Sequence, residues 1–329
     1  MGEKTYIIIL NYNGWKDTIE CLESVLKLNY TNYQIILIDN SESNEDISNI
    51  EKWASAGNEI KIETSFPLLV YPLINKPIQY RLISEAESEK CFYDEKLLIV
   101  KAKKNKGFAA GNNIGLNYAL RRNDFSFCWL LNNDTVVEKD TLLNALKVFQ
   151  DNKRVGFLGT RLMYYSKPSI IQGLGGEFNY KYSISSHICE GEPYFSGLFS
   201  GKIDYPIGAS MLITRDCLFD TGTLFEGFFL YYEEIDWAER IKNNNYLIGL
   251  AQDSVVYHKE GASIHSNSGS AKSELGDLSS LKSRLVFAHR NNRKNLPLTY
   301  LGFIPVIINR IIRFQFNRGL KIIRIIFTT

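Results

Sequence analysis

Four short apolar runs that stop abruptly at small polar side chains constrain this chain of 329 residues more than anything else in it. Thr5–Leu10 closes on Asn11-Tyr12-Asn13-Gly14, and Gln34–Ile38 closes on Asp39-Asn40-Ser41. Leu97–Lys101 leads into Asn105–Asn113, and Phe127–Leu131 closes on Asn132-Asn133-Asp134. Runs of this length, rich in Ile, Leu and Val and without polar alternation, read as strands buried on both faces. Between the first two, residues 15–28 set Ile19, Leu22, Val25 and Leu26 at helical spacing. Strand, helix and strand within about 35 residues form a β-α-β unit, whose strands are parallel and whose crossover is right-handed. Helices are also predicted over 42–56, 112–122 and 138–151, so the chain is an α/β protein.

The remainder is less regular. Residues 57–96 hold Pro67, Pro72, Pro77 and the charged SEAESEK, and read as an insertion with some strand content. Strands are expected at 155–163, 206–214, 244–250 and 254–258. A helix should run from the Tyr231–Trp237 segment to about Asn243, and 164–200 should be irregular or antiparallel. Residues 264–280 read as a mobile loop, and 281–294 and 299–327 as two apolar, basic helices. Five widely spaced cysteines without a C-x-x-C pair indicate neither a zinc site nor a disulfide framework and fit a reducing cytoplasm. Cys21, Cys128 and Cys217 stand in apolar contexts, as core residues. MGEKTYIIIL lacks the pattern of a cleaved signal peptide.

Parallel strands carry their C-terminal ends to one edge of the sheet, where ligands of α/β proteins bind. Four polar clusters in register there indicate one ligand with several polar groups, such as a nucleotide. The loop at 105–113 is neither G-x-G-x-x-G nor G-x-x-x-x-G-K-[ST], so neither a dinucleotide fold nor a P-loop is supported. Gly107 and Gly111 would let the backbone approach a phosphate or sugar. Asp134 is placed to hold a divalent cation that in turn holds a phosphate, or else Asp134 or Thr135 caps a helix at 138–150.

Seven pieces in order, IIILNYNG, LIDNSE, NKGFAAGNN, LLNNDT, GASMLIT, FLYYEEIDWAER and VVYHKEGAS, resemble the motifs of the family-2 inverting glycosyltransferases. The resemblance spans roughly 5–263 and is nearest to the rhamnosyltransferase-like branch of bacterial O-antigen and capsule assembly. It implies the glycosyltransferase-A fold, a mixed, mainly parallel central sheet flanked by helices, with a catalytic domain over 1–263. It also implies roles. Asn11, Tyr12, Asp39, Asn40 and Ser41 would meet the base and ribose of the donor, and Asn105, Gly107, Gly111 and Asn113 would cover the nucleotide and sugar. Asn132-Asn133-Asp134 stands where the family has D-x-D, which leaves Asn132 and Asn133 to the nucleotide-sugar and Asp134 as the carboxylate for Mg2+ or Mn2+, with His258 as a further ligand. Glu234 matches the base that takes the acceptor's proton, with Asp236 as the alternative, and Arg240 should pair with an acid of that segment. The donor would be a dTDP- or UDP-linked sugar, rhamnose or a hexose, and the acceptor a lipid-linked glycan in cell-surface polysaccharide synthesis. The alternative is a non-catalytic nucleotide-sugar-binding or assembly protein on the same fold. A sugar nucleotidyltransferase would need a glycine-rich, basic loop where this chain has NYNGWK.

Charge separates the C-terminal segment, 281–329, from the body. Of 38 Lys and Arg, ten fall from Leu281 onward, where there is no Asp or Glu; the first 280 residues hold the other 28 against all 36 acids. LTYLGFIPVII is uncharged but too short to span a bilayer, and INRIIRFQFNRGLKIIRIIF interleaves basic and apolar residues. Its isoleucines favour an anionic membrane surface over nucleic acid, which a basic tail also serves, or over a helix that merely packs on the body. The expected location is the cytoplasmic face of the cell membrane, as a peripheral protein.

Overall fold

The computed structural model describes residues 3–56, 60–197, 199–259 and 274–329. The first half reads β1 (Thr5–Asn11), α1 (Trp15–Val25), β2 (Tyr33–Asp39), α2 (Glu45–Ala56), α3 (Pro67–Val70), β3 (Tyr80–Ser84), α4 (Glu85–Ser88), β4 (Leu97–Lys101), α5 (Phe108–Arg122), β5 (Phe127–Asn132), β6 (Thr135–Val137) and α6 (Thr141–Asp151). There follow β7 (Val155–Tyr164), β8 (Lys167–Gly173), β9 (Gly176–Asn179), β10 (Ile184–His187), β11 (Ser210–Thr214), α7 (Arg215–Thr221), α8 (Glu233–Asn243) and β12 (Leu247–His258). The C-terminal layer is α9 (Glu274–Asn291), α10 (Leu296–Leu301), α11 (Ile304–Ile312) and α12 (Phe316–Thr328).

The sheet order is β3-β4-β2-β1-β5-β11-β7-β12-β6, with β8 added beside β7. Neighbours from β3 to β5 pair in parallel, and β11 is antiparallel to both β5 and β7. The sheet is therefore mixed and mainly parallel, as expected. Both faces are covered, which is why the strands are apolar without alternation. Ile7, Ile9, Leu37, Trp129 and Leu131 face the side of α1, α2 and α6. Ile8, Ile36, Ile38, Leu130 and Phe157 face the side of α5, α8 and α9, with Trp237 and Phe287. Each fully buried side chain of this size contributes roughly 1.5–3 kcal/mol.

Register levels the edge. Asn11 stands opposite Asp39, Asp39 opposite Lys101, and Leu10 opposite Asn132. The four polar clusters thus share one rim.

Several boundaries differ from the sequence reading. Tyr80–Ser84, inside the presumed insertion, is a fifth parallel strand at the sheet margin. Helix α5 starts at Phe108 rather than 112, with Gly107 at its N-cap. Thr135–Val137 is a strand, so neither Asp134 nor Thr135 caps a helix; Asp140 precedes α6. Leu247–His258 is one strand whose register slips between Ala251 and Val255, which reads in sequence as two strands. The last predicted helix is broken into α10, α11 and α12. The segment Arg293–Ile312, 20 residues, is long and apolar enough by composition to cross a membrane, but turns at 302–303 divide it. Of the predicted mobile loop, 264–273 lies outside the described residues, and 274–280 is instead the start of helix α9.

Candidate active site

Two pairs of adjacent strands and two helix starts converge on Asn11. Its Nδ2 donates to Asp39 Oδ1 at 2.8 Å and to Asp46 Oδ2 at 2.7 Å. Its Oδ1 accepts from Thr18 Oγ1 at 2.8 Å and from Asn133 Nδ2 at 3.2 Å. Both amide hydrogens and both lone pairs are committed, and the residue is fully buried. Asn11 therefore braces the rim, with the Asn133 amide among its partners. Asp46 went unnoticed in the sequence because an acid in a first helical turn is ordinary. Here it also accepts from Gly14 N at 3.0 Å and Ser41 Oγ at 2.8 Å.

Asp39 is fully buried at the floor of the rim. It accepts from Ser41 N at 3.2 Å and pairs with Lys101 Nζ at 2.8 Å. Tyr12 is half-buried. Asn40 Nδ2 reaches Asn105 Oδ1 and Gly107 O, each at 3.4 Å. Asn40, Gly111 and Asn113 line a cavity of about 200 Å³ together with Lys104, Lys106 and Arg121.

The glycines of this loop make close approaches, but to protein. Gly107 has φ +97°, and a Cβ there would stand 2.3 Å from Phe229 O. A Cβ on Gly111 would stand 2.5 Å from Leu10 Cδ1 and 2.8 Å from Asn40 Nδ2. Asn113 donates to Leu224 O at 2.8 Å and Glu226 Oε1 at 2.9 Å, and accepts from Leu224 N at 3.0 Å. Gly107 and Asn113 therefore also fasten residues 224–229, and so the entry to α8, onto the rim, while Gly111 and Asn113 line the cavity.

The end of β12 pairs with β6, His258 opposite Thr135, which carries the imidazole to Asp134. His258 Nε2 lies 3.2 Å from Asp134 Oδ1 and 3.4 Å from Asn132 Nδ2. Its Nδ1 lies 2.8 Å from Oε1 of Gln172, a residue in the stretch that sequence could not resolve. Lys259 N donates to Asp134 O at 3.0 Å, and Lys259 Nζ pairs with Asp17 at 2.6 Å and with Glu20, tying this corner to α1. Carboxylate and imidazole suit Mn2+, and carboxylate suits Mg2+. Two ligands at ~2.1 Å from an octahedral ion stand ~3 Å apart, which the observed separation matches. Among the described residues no three His, Cys, Asp or Glu side chains gather into a metal site. Further ligands would come from a nucleotide and water, as is usual for Mg2+.

Helix α8 opens under strain. Tyr231 and Tyr232 both adopt left-handed backbone angles, φ 69° and 73°, a conformation that costs about 1–3 kcal/mol per residue and clusters at functional sites. Tyr232 is held by its hydroxyl on Ser183 O at 2.7 Å and by its ring against Phe178 and Phe287. Glu234, half-buried in the next turn, has its carboxyl pushed up to about 7 by burial. Buried Glu233 is raised well above the ordinary range, by burial first and by the charge of Glu234 second. Asp236 differs. It is fully buried and accepts from Arg240 at 3.0 Å, Arg290 at 2.9 Å and Asn291 at 2.7 Å. The expected Arg240 pair is present, and both oxygens of Asp236 are occupied. The two acids thus differ in surroundings: Asp236 is bound by Arg240, Arg290 and Asn291, whereas Glu234 is half-buried with its carboxyl raised by burial.

The sequence profile of glycosyl transferase family 2 matches residues 6–65 and 81–201, more than half of the chain. Over 241 residues the chain is 25% identical to the low-salt glycan biosynthesis hexosyltransferase Agl10 of Haloferax volcanii, covering 68% of this chain and 66% of that protein. Solved structures share the fold at low identity. GalNAc-T7, determined with UDP, GalNAc and Mn2+, superposes with a TM-score of 0.56 at 13% identity, over 87% of this chain and 48% of its own. TarS residues 1–349 of S. aureus gives 0.51 at 13%, over 90% and 70%. The mannosyltransferase PcManGT of Pyrobaculum calidifontis, with GDP-Man and Mn2+, gives 0.51 at 12%, over 99% and 86%. The chain spans about half the length of GalNAc-T7 and just under two thirds of Agl10.

Proposed function

The chain belongs to glycosyltransferase family 2, and on that premise we propose that it transfers a sugar from a nucleoside diphosphate donor to an acceptor hydroxyl with inversion. The observation that carries this is the Asp134–His258 corner at the strand ends, together with a helix, its approach fastened to the rim through Gly107 and Asn113, whose first turn holds a carboxyl near neutrality at Glu234. Rim residues Asp39, Asn40 and Ser41 receive the nucleoside, and Lys101 holds the Asp39 carboxylate in place. Glu234 takes the proton of the acceptor hydroxyl as its oxygen bonds the anomeric carbon, and the bond to the diphosphate breaks on the opposite face. A single displacement inverts the centre. When bound to Asp134 and His258, Mg2+ or Mn2+ supplies positive charge to the departing diphosphate.

Similarity to a hexosyltransferase of glycan biosynthesis supports a hexose donor; the motif resemblance supports dTDP-rhamnose beside it. A lipid-linked glycan is the acceptor that best fits the C-terminal layer. Of 21 large apolar side chains exposed among the described residues, ten lie between Leu301 and Phe327, interleaved with exposed Arg313 and Arg324. Arg310 bonds both oxygens of Asp277 at 2.9 and 2.7 Å within the layer, while Arg284 Nε donates to Tyr182 O at 2.8 Å and Thr299 Oγ1 lies 3.0 Å from Ser183 Oγ, so the layer stays with the body as it meets a surface. We place it on the cytoplasmic leaflet. Full-length protein should bind anionic vesicles at low salt and be released by high salt. Replacing Arg313 and Arg324 with Ala should weaken binding about 30-fold, near 1 kcal/mol for each charge. Equal binding to neutral vesicles would refute the electrostatic reading.

The function is tested by incubating purified protein with dTDP-rhamnose, UDP-glucose, UDP-GlcNAc and GDP-mannose, with Mn2+ or Mg2+, and measuring released nucleoside diphosphate. One donor class should be consumed; a protein that binds a donor and never releases diphosphate with any acceptor would be the non-catalytic binder instead.

A further inference from the structure

We infer that Gln172 is a positioning residue that holds the His258 imidazole with Nε2 toward Asp134, an inference that rests on the reading of His258 as a metal ligand. The backbone sets it up. Strand β8 runs antiparallel to β7, with Leu162 opposite Gly173 but Met163 opposite Ile171. One step along β7 answers two along β8, and Gln172 is the extra residue. Bulges of this kind re-aim a side chain and recur beside active sites. Neighbours on this stretch, Met163, Ile171 and Leu174, are apolar and buried. Gln172 is 3% exposed among them. An amide buried in such company costs stability unless it is hydrogen-bonded.

Its bond is to the imidazole. Oε1 lies 2.8 Å from His258 Nδ1. An amide oxygen only accepts, so Nδ1 carries the hydrogen. Nε2 is thereby the nitrogen left to face the rim, 3.2 Å from Asp134 Oδ1 and 3.4 Å from the Asn132 amide. Metal-bound imidazoles are oriented by such a partner on the other nitrogen, and loss of the partner typically costs 10–100-fold in metal affinity. No other reason is evident for an amide at the bulge: an apolar residue would match the rest of the stretch.

The test uses the full chain and Mn2+ alone, followed by water-proton relaxation, together with melting of the metal-free protein. Gln172→Leu should weaken Mn2+ binding 10–100-fold and melt with the wild type when metal-free. Gln172→Glu, which keeps an acceptor, should bind as the wild type does, and His258→Ala should lose at least as much as Gln172→Leu. If Gln172→Leu does not fold, Gln172→Met carries the same test. Wild-type affinity in Gln172→Leu with weakened His258→Ala overturns the role of Gln172 alone. Equal weakening in Gln172→Leu and Gln172→Glu also overturns it, in favour of packing. Wild-type affinity in His258→Ala removes the ligand reading and this inference together.

Discussion

Glu234→Gln is expected to lower kcat by about 10²–10⁴, the usual contribution of a general base, with donor binding unchanged. The amide keeps the size of the carboxyl and cannot take a proton. Because burial has pushed Glu234 up to about 7, the wild-type kcat/KM should climb roughly tenfold per unit of pH below that value and level off above it, as a single essential base requires. The residual activity of Glu234→Gln should lack that slope. Stability should move the other way. A carboxyl raised in the folded state favours folding while it is protonated, and that contribution is lost as pH rises through about 7. Glu234→Gln, which cannot ionise, should therefore melt above the wild type at pH 8 and converge with it below the unfolded value of 4.5. A variant that is more stable yet nearly inactive is the signature of a group strained for function. An unaltered pH profile in the wild type, flat across neutrality, would remove Glu234 from this role.

Asp236→Ala should fail for a different reason. Removing one partner of a buried ion pair costs about 3–5 kcal/mol. Here Arg240 and Arg290 keep partial access to water, with side-chain exposures of 23% and 40%, so the lower end, about 3 kcal/mol, is expected. The loss is not confined to α8. Arg290 and Asn291 belong to α9, which also bonds Leu230 O through Ser283 Oγ at 2.9 Å and packs Phe287 on Tyr232. Asp236 is thus a joint between the strained start of α8 and the C-terminal layer. Melting should fall by roughly 5 °C or more, and protease cleavage near 274–295 should accelerate in the folded protein. Asp236→Asn, which retains one acceptor, should fall between. An Asp236→Ala protein as stable as wild type but inactive would instead make Asp236 the chemical base.

The strand ends were legible in sequence because both faces of a parallel sheet are covered. That leaves apolar runs with nowhere to put polar residues except at the rim. What each rim residue bonds was not legible. Asn11 is committed by Thr18, Asp46 and Asn133, which lie seven, 35 and 122 positions away. A polar side chain at a strand end reads alike whether it meets a ligand or another rim residue. The commitment of Asp236 likewise rests on Arg290 and Asn291, from a different helix 54 and 55 positions on. Gln172 was hidden because a bulge breaks the period-two pattern by which a strand is recognised. Strand β6, three residues long, is too short to carry any period. Asp134 and His258 were found by motif, and register explains why they meet: β12 passes β6 with His258 opposite Thr135.

The proposed chemistry depends on a divalent ion held at the Asp134–His258 corner. It is tested most directly by measuring nucleoside diphosphate release from the preferred donor across a Mn2+ titration, for wild type and Asp134→Ala. The wild type should show saturable activation, abolished by chelation. Asp134→Ala should show a loss of at least about 10²-fold that added Mn2+ does not restore, consistent with several kcal/mol of charge stabilisation from such an ion. Equal release by the two proteins, or release that persists undiminished in chelator, would contradict it.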